Sequence, residues 1–130
     1  MTILVAYAPR PEGQAAMDKG IELAKASGEF LIVLNASPGG SGEDPSRADV
    51  QDVERVEFLL SVCGTPAEFK QFVRGKNVVD ELQELVDTHN VSTLVIGLRK
   101  RTAVGKLILG SVAQEILMNI SCPILAVKAN

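Results

Sequence analysis

Two glycines and a basic run in the last third of the chain have the types and spacing of a phosphate site. Gly97 lets the backbone approach a ligand closely, and an Arg-Lys-Arg run follows at residues 99–101. Gly110 and Ser111 precede a segment with helical spacing of its apolar residues, where free N–H groups and the helix dipole favour an anion. These residues predict a cradle for a phosphate group.

A simpler interpretation of the same residues stays open. Gly97 and Gly110 are also typical of turns, and a basic run is commonly a solvated loop. A P-loop is excluded, because it would need glycine at position 100 and a hydroxyl at position 107, where the chain has Lys100 and Leu107.

Short apolar runs alternate with amphipathic segments along the whole chain. Such runs are typical of strands buried on both faces, and apolar residues three or four apart indicate helices. The predicted strands cover residues 3–7, 30–34, 68–73, 94–96 and 122–127, and the predicted helices cover residues 12–27, 48–63, 78–86 and 112–120. Gly28 and Asn90 are expected to cap the first and third helices. The pattern predicts one α/β domain over residues 1–130, an open five-stranded parallel sheet with helices on both faces. A Gly-, Pro- and Ser-rich loop is predicted at 38–46.

Ligands of open parallel sheets bind outside the carboxyl ends of the strands. In this chain those ends carry Ala8, Ala36, Arg74 and Gly97. The last of them, with the basic run beyond it, offers the most groups for an anion.

The spacing of the cradle resembles the G-x2-G-x9-G-(S/T) nucleotide motif of the universal stress protein (UspA-like) family. Here Gly97 is followed after two residues by Lys100, and after nine more by Gly110 and Ser111. The resemblance extends over the whole chain, in the segments ILVA (3–6), VIG (95–97), LILGSV (107–112) and SCPILAV (121–127).

The resemblance implies a stress-response protein with a Rossmann-like fold of the adenine nucleotide alpha hydrolase type. In one branch it implies binding of ATP or AMP, with magnesium only as part of the nucleotide. The implied nucleotide-binding residues are Ala8 and Ala36 near the base and Gly97, Arg99, Lys100, Gly110, Ser111 and Val112 near the phosphates. It also implies a homodimer through the strand Ile124 to Val127, whose apolar edge would need pairing or cover.

Two positions differ from the nucleotide-binding pattern. Lys100 replaces the second glycine, so a left-handed backbone there would cost roughly 1–2 kcal/mol, and pairing with a phosphate would offset about as much. Ala8 replaces an aspartate after the first strand, which removes an acceptor and weakens binding roughly fivefold. Two functions therefore stay open: a nucleotide-responsive sensing or interaction protein, and a dimer that binds no nucleotide and acts through its surface.

Composition excludes several other classes. A net charge of −3 and a pI near 5.1 do not suit nucleic-acid binding. The absence of an apolar run near the roughly 20 residues of a membrane span, and of a charged leader, predicts a cytoplasmic protein. Two cysteines without a CxxC pair and one histidine are too few for a metal site, and we expect the cysteines to be buried or half-buried.

We find no catalytic constellation and expect a binding protein, with slow nucleotide hydrolysis only as an incidental activity. His89 is predicted at the edge of the sheet opposite Ser111, which disfavours a Ser–His pair. The acidic residues Glu81, Glu84 and Asp87 are predicted to form the solvated face of their helix.

Overall fold

The computed structural model describes residues 1–37, 47–73, 77–99, 102–103, 106–107 and 109–129, so that the predicted loop at 38–46 and Lys100 lie outside the described residues. The described strands are β1 (Thr2–Ala6), β2 (Phe30–Ser37), β3 (Ala67–Val73), β4 (Val91–Arg99), β5 (Thr102–Ala103), β6 (Lys106–Leu107) and β7 (Ile124–Ala129). The described helices are α1 (Pro11–Ser27), α2 (Val50–Val62), α3 (Val78–Thr88) and α4 (Ser111–Asn119).

Five of these strands form one parallel sheet in the order β3-β2-β1-β4-β7, and β5 and β6 form a separate antiparallel pair. Val5 on β1 pairs with Val33 on one side and Val95 on the other. From β1 the chain builds the sheet outward to β3 and then returns to the other side of β1. The strand order therefore reverses between β1 and β4, which is where open α/β sheets bind ligands.

Helices cover both faces of the sheet, as predicted. Along β2, Leu31 and Val33 join the core under α1 and α2, whereas Ile32 and Leu34 join the core under α3 and α4. All four side chains are at most 1% exposed. This two-sided burial explains the continuous apolar run of the strand. The predicted fold class is confirmed.

The predicted helix ends at Gly28 and Asn90 are confirmed by the backbone. α1 begins with Pro11 and is closed by Gly28 at φ 75°, and Asn90 follows α3 at φ 52°. Glycine and asparagine tolerate this left-handed conformation best. None of the described helices is both long enough and apolar enough to cross a membrane.

The prediction that β4 ends near Gly97, before a basic loop, was wrong. Leu98 and Arg99 continue the strand and pair with Lys128 and Ala129 of β7. Pairing with a neighbour that lies nearly 30 residues later in the sequence extends β4 beyond its apolar centre. Arg99 is therefore held on a strand and not in a loop.

The prediction that Glu81 is solvated was also wrong, since its side chain is only 2% exposed. Glu81 lies three residues after Val78 and four before Leu85, both on the side of α3 that packs against the core. Glu84 and Asp87 are exposed as predicted. The helix therefore buries one carboxylate within its apolar face.

Candidate functional site

A cavity of about 420 Å³ opens at the point where the strand order reverses. Its walls come from the ends of β1, β2 and β4, the start of α1, and α3 and α4. Small-molecule sites in proteins commonly enclose roughly 300–1,000 Å³. The size and the place in the fold are therefore those of a ligand site.

There is room for this cavity because small residues lie at or near the ends of the strands that border it. Ala8, Ala36 and Gly97 line it, and the side chain of Ala36 is 7% exposed. The remaining walls are mainly apolar and include Leu34, Val78, Leu82, Ile96, Val112, Ala113 and Ile116. An apolar cavity of this kind suits a flat ring system with few charges.

A second cavity of about 170 Å³ adjoins the first on the side of β4 and α4. Leu98, Arg99, Leu109 and Gly110 line only this smaller cavity. Both cavities are lined by Arg10, Glu12, Gly97 and Ala113, which we call the junction residues. The two cavities therefore form one crevice with an apolar part and a charged part.

The helices that border the smaller cavity leave their first N–H groups free of side-chain caps. Arg10 precedes α1 and Gly110 precedes α4, and neither makes a side-chain cap hydrogen bond. In α3, by contrast, Asn77 Oδ1 accepts a hydrogen bond of 2.8 Å from the N–H of Val79, and α2 begins with a complete capping box. Uncapped N–H groups and the helix dipole attract an anion.

Packing against α1 requires a glycine at position 97. A Cβ atom at this position would overlap the carbonyl oxygen of Glu12 in the first turn of α1. A Cβ atom at Gly13 would likewise overlap the backbone of Ala8. The two glycines bring α1 against the ends of β1 and β4 and so form the floor of the crevice. Gly97 also lines both cavities, so the close approach of a ligand to its backbone stays a prediction.

Among the described residues, three charged side chains line the smaller cavity, namely Arg10, Glu12 and Arg99. Within the part of the chain that the structure describes, none of the three forms a side-chain hydrogen bond or ion pair. Charged groups of this kind can exchange their hydration for a ligand at little cost to the fold.

The structure brings most of the predicted site residues to the crevice. Ala8, Ala36 and Val112 line the larger cavity, Arg99 and Gly110 line the smaller one, and Gly97 lines both. Ser111 is the first residue of α4 and is exposed. Lys100 lies outside the described residues.

A buried amide fixes the ends of the first three strands beside the larger cavity. Asn35, which is fully buried, donates from Nδ2 to the carbonyl oxygen of Tyr7 at 3.0 Å. Its Oδ1 accepts from the N–H of Ala48 at 2.9 Å and from Nε2 of Gln71 at 3.1 Å. Gln71 Nε2 also donates to the carbonyl oxygen of Ala48 at 2.8 Å. The network links β1, β2 and β3 to the segment that enters α2.

Comparison with known proteins relates this chain to one protein family. The pattern of the universal stress protein family matches residues 1–128. A universal stress protein of Mycolicibacterium smegmatis is 43% identical over 126 residues, which are 97% of this chain and 96% of that protein. The chain belongs to the universal stress protein family.

Solved universal stress proteins share this fold. One from Archaeoglobus fulgidus has a TM-score of 0.71 and 30% identity, with 98% of each chain covered. A structure of the universal stress protein from the same organism in complex with dAMP has a TM-score of 0.65 and 24% identity, again with 98% of each chain covered. The resemblance inferred from the sequence and the fold that it implied are confirmed.

In this universal stress protein, sequence reasoning missed two charged residues that line both parts of the crevice. Arg10 precedes the first helix and Glu12 lies in its first turn, and neither was predicted as a site residue. The signal was available, because the segment after a strand end lies at the ligand side of an open sheet. Their closeness to Gly97 depends on packing and could not be inferred from spacing.

No group of three or more potential metal ligands occurs within the described residues of this universal stress protein. Cys63 and Cys122 are free and half-buried, as expected. Burial raises the pKa of the Cys122 thiol above the ordinary 9.0. At neutral pH the thiol is therefore protonated and a poor nucleophile.

Proposed function

We propose that this universal stress protein binds an adenine nucleotide, ATP or AMP, in the crevice between β1 and β4, and acts as a sensing or interaction protein. The observation that carries the proposal is the division of one crevice into an apolar cavity and an adjoining cavity with cationic side chains and uncapped helix starts. A nucleotide has the same division, with an apolar ring at one end and an anion at the other.

The base is assigned to the larger cavity. Ala8 and Ala36 leave room there, and the surrounding walls are mainly aliphatic. Burial of a flat ring between such walls gains dispersion and hydrophobic free energy without leaving charges unpaired. The structure of a universal stress protein from Archaeoglobus fulgidus in complex with dAMP supports an adenine nucleotide as the class of ligand.

The phosphate end is assigned to the smaller cavity. Arg10 and Arg99 supply positive charge, and the N–H groups that follow Gly110 and Ser111 are available at the start of α4. Charge-assisted hydrogen bonds to phosphate are roughly twice as strong as neutral ones. The resemblance adds Lys100 to the phosphate ligands, and magnesium would enter only with the nucleotide.

A sensing role is favoured over catalysis by the arrangement of the polar groups. His89 follows the carboxyl end of α3, whereas Ser111 opens α4 at the crevice, so the two residues lie at opposite edges of the sheet. Thr88 Oγ1 and His89 Nδ1 lie 2.8 Å apart, but this exposed hydroxyl–imidazole pair is at the end of α3 and lines neither cavity. Binding energy at the crevice can instead shift the equilibrium between conformations that present different surfaces.

We also propose a homodimer through the edge strand β7. β7 has a neighbour only on the β4 side within the described sheet, and Leu125 is 37% exposed. Leu117 and Met118 on the adjacent α4 are 43% and 83% exposed. An apolar sheet edge is a ready template for a second strand, and a second copy would cover it.

Calorimetric titration of AMP, ADP and ATP, with and without Mg²⁺, tests the proposal on protein that has been unfolded, stripped of nucleotide and refolded. We expect micromolar binding of at least one of them. The absence of heat and of any thermal shift at millimolar nucleotide would refute binding and favour the dimer that acts through its surface alone.

Two substitutions at Gly110 assign the phosphate end. A Cβ atom there meets no atom within 4 Å, and aspartate and asparagine are equally good residues before a helix, so both variants should fold. Gly110→Asp places a negative charge beside the phosphates, and we expect it to weaken binding at least about tenfold more than Gly110→Asn does. Equal affinities in the two variants would place the phosphates elsewhere.

A further inference from the structure

We propose that the Glu12 carboxylate binds the ribose hydroxyls of the nucleotide and thereby favours ribonucleotides over nucleotides whose sugar lacks both hydroxyls. This inference rests on the proposed function and assigns a residue and a specificity to the same crevice.

The position of Glu12 between the two cavities carries the argument. If the base occupies the larger cavity and the phosphate the smaller one, the sugar that joins them must lie at the junction. Of the residues that the structure describes, only the four junction residues line both cavities. The ribose therefore lies against them, whatever the orientation of its ring.

Among the junction residues, Glu12 alone has a side chain that accepts hydrogen bonds. Arg10 can only donate, and Gly97 and Ala113 have no polar side-chain atom. Ala8, at the end of β1 on the wall of the larger cavity, presents a methyl group. Adjacent hydroxyls of a ribose are donors that a carboxylate binds well, as in dinucleotide-binding folds.

The carboxylate is both available and held in place. Within the described residues it makes no hydrogen bond or ion pair, so no existing contact must break. Its backbone is fixed, because the close approaches at Gly97 and Gly13 hold the first turn of α1 against β4 and the end of β1. A half-buried acceptor on a fixed turn loses little freedom when it binds.

The test compares AMP with 2′,3′-dideoxyadenosine monophosphate, which lacks both hydroxyls, by calorimetry. The wild-type protein is expected to prefer AMP about tenfold, the size expected for hydrogen bonds to a charged acceptor. Glu12→Met, similar in length but without an acceptor, should bind AMP about tenfold more weakly and the dideoxy compound unchanged. Glu12→Gln keeps an acceptor without the charge and should retain a preference of a few-fold.

Glu22→Met is the matched control, because Glu22 lies on the same helix, is exposed and lines neither cavity. It should keep the full preference for AMP. All variants should unfold within a few degrees of the wild type, since an acidic residue in a first turn and an exposed ion pair such as Lys19–Glu22 each contribute little to stability.

The outcomes separate this inference from the function on which it rests. If the wild-type protein binds AMP and the dideoxy compound equally, or if Glu12→Met weakens both equally, the ribose assignment is wrong although nucleotide binding stands. If the wild-type protein binds no adenine nucleotide at all, both proposals are wrong.

Discussion

Substitution of Gly97 by alanine tests the conclusion that this glycine serves the packing of α1. The backbone at Gly97 does not have positive φ, so alanine brings no conformational strain. The added Cβ overlaps the carbonyl oxygen of Glu12, which is a backbone atom and cannot rotate away. The first turn of α1 must therefore move off β4.

The expected change in the free energy of unfolding of Gly97→Ala follows from two opposing contributions. Overpacking of a filled core costs about 1–3 kcal/mol, and contact with backbone places Gly97→Ala near the upper end. Loss of backbone freedom in the unfolded chain offsets about 0.4–1 kcal/mol. The net destabilisation is about 2 kcal/mol, or roughly 8 °C in Tm for a domain of this size.

Gly110→Ala is the matched control, because its Cβ meets no atom within 4 Å. Alanine loses less backbone entropy on folding than glycine does, and this offsets its weaker capping of α4. We therefore expect the free energy of unfolding to change by less than about 0.5 kcal/mol. Urea unfolding measures both variants, with a lower midpoint and an unchanged m-value for Gly97→Ala. If the two variants unfold within about 0.5 kcal/mol of each other, α1 does not depend on Gly97 and the account of the crevice floor is refuted.

Two further predictions concern the buried amide and the sheet edge. Asn35→Ala leaves the Tyr7 carbonyl and the Ala48 N–H without their partner and should lower the free energy of unfolding by about 2–4 kcal/mol. The control Asn119→Ala removes an exposed amide and should lower it by less than about 0.5 kcal/mol. Comparable losses for the two variants in urea unfolding would contradict a structural role for the network. Leu125→Lys adds a charge to the proposed dimer edge and should yield folded monomers in sedimentation velocity, where the wild type is expected to sediment as a dimer. A variant that also sediments as a dimer would exclude β7 as the interface.

The distinction between packing and ligand contact shows where sequence reasoning reached its limit. Gly97 and Gly110 were assigned together to a phosphate cradle, because both precede or follow elements at the expected spacing. The structure distinguishes the two glycines, since a Cβ atom at Gly97 would overlap the backbone of α1 whereas a Cβ atom at Gly110 would meet no atom within 4 Å. Spacing along the chain does not report which distant segment lies above a glycine.

The surroundings of charged side chains could not be predicted from spacing either. The spacing of acidic residues along α3 suggested one solvated face, yet Glu81 is buried. Arg10 and Glu12 were not among the predicted site residues, yet they line both parts of the crevice. The environment of a charged side chain is set by the elements that pack around it, and those elements come from other parts of the sequence.

The sequence by itself determined the alternation of strands and helices, the caps at Gly28 and Asn90, the parallel sheet and the family. Each of these follows from local periodicity, from local backbone preference or from motifs along the chain. Only the tertiary structure decided that β4 continues through Arg99, that α1 lies directly on Gly97, and that one acidic side chain stands between two cavities. Such features depend on contacts between segments far apart in the sequence, β4 with β7 and α1 with β4, and the hydrophobic and steric terms that set them appear only once the sheet has brought those segments together.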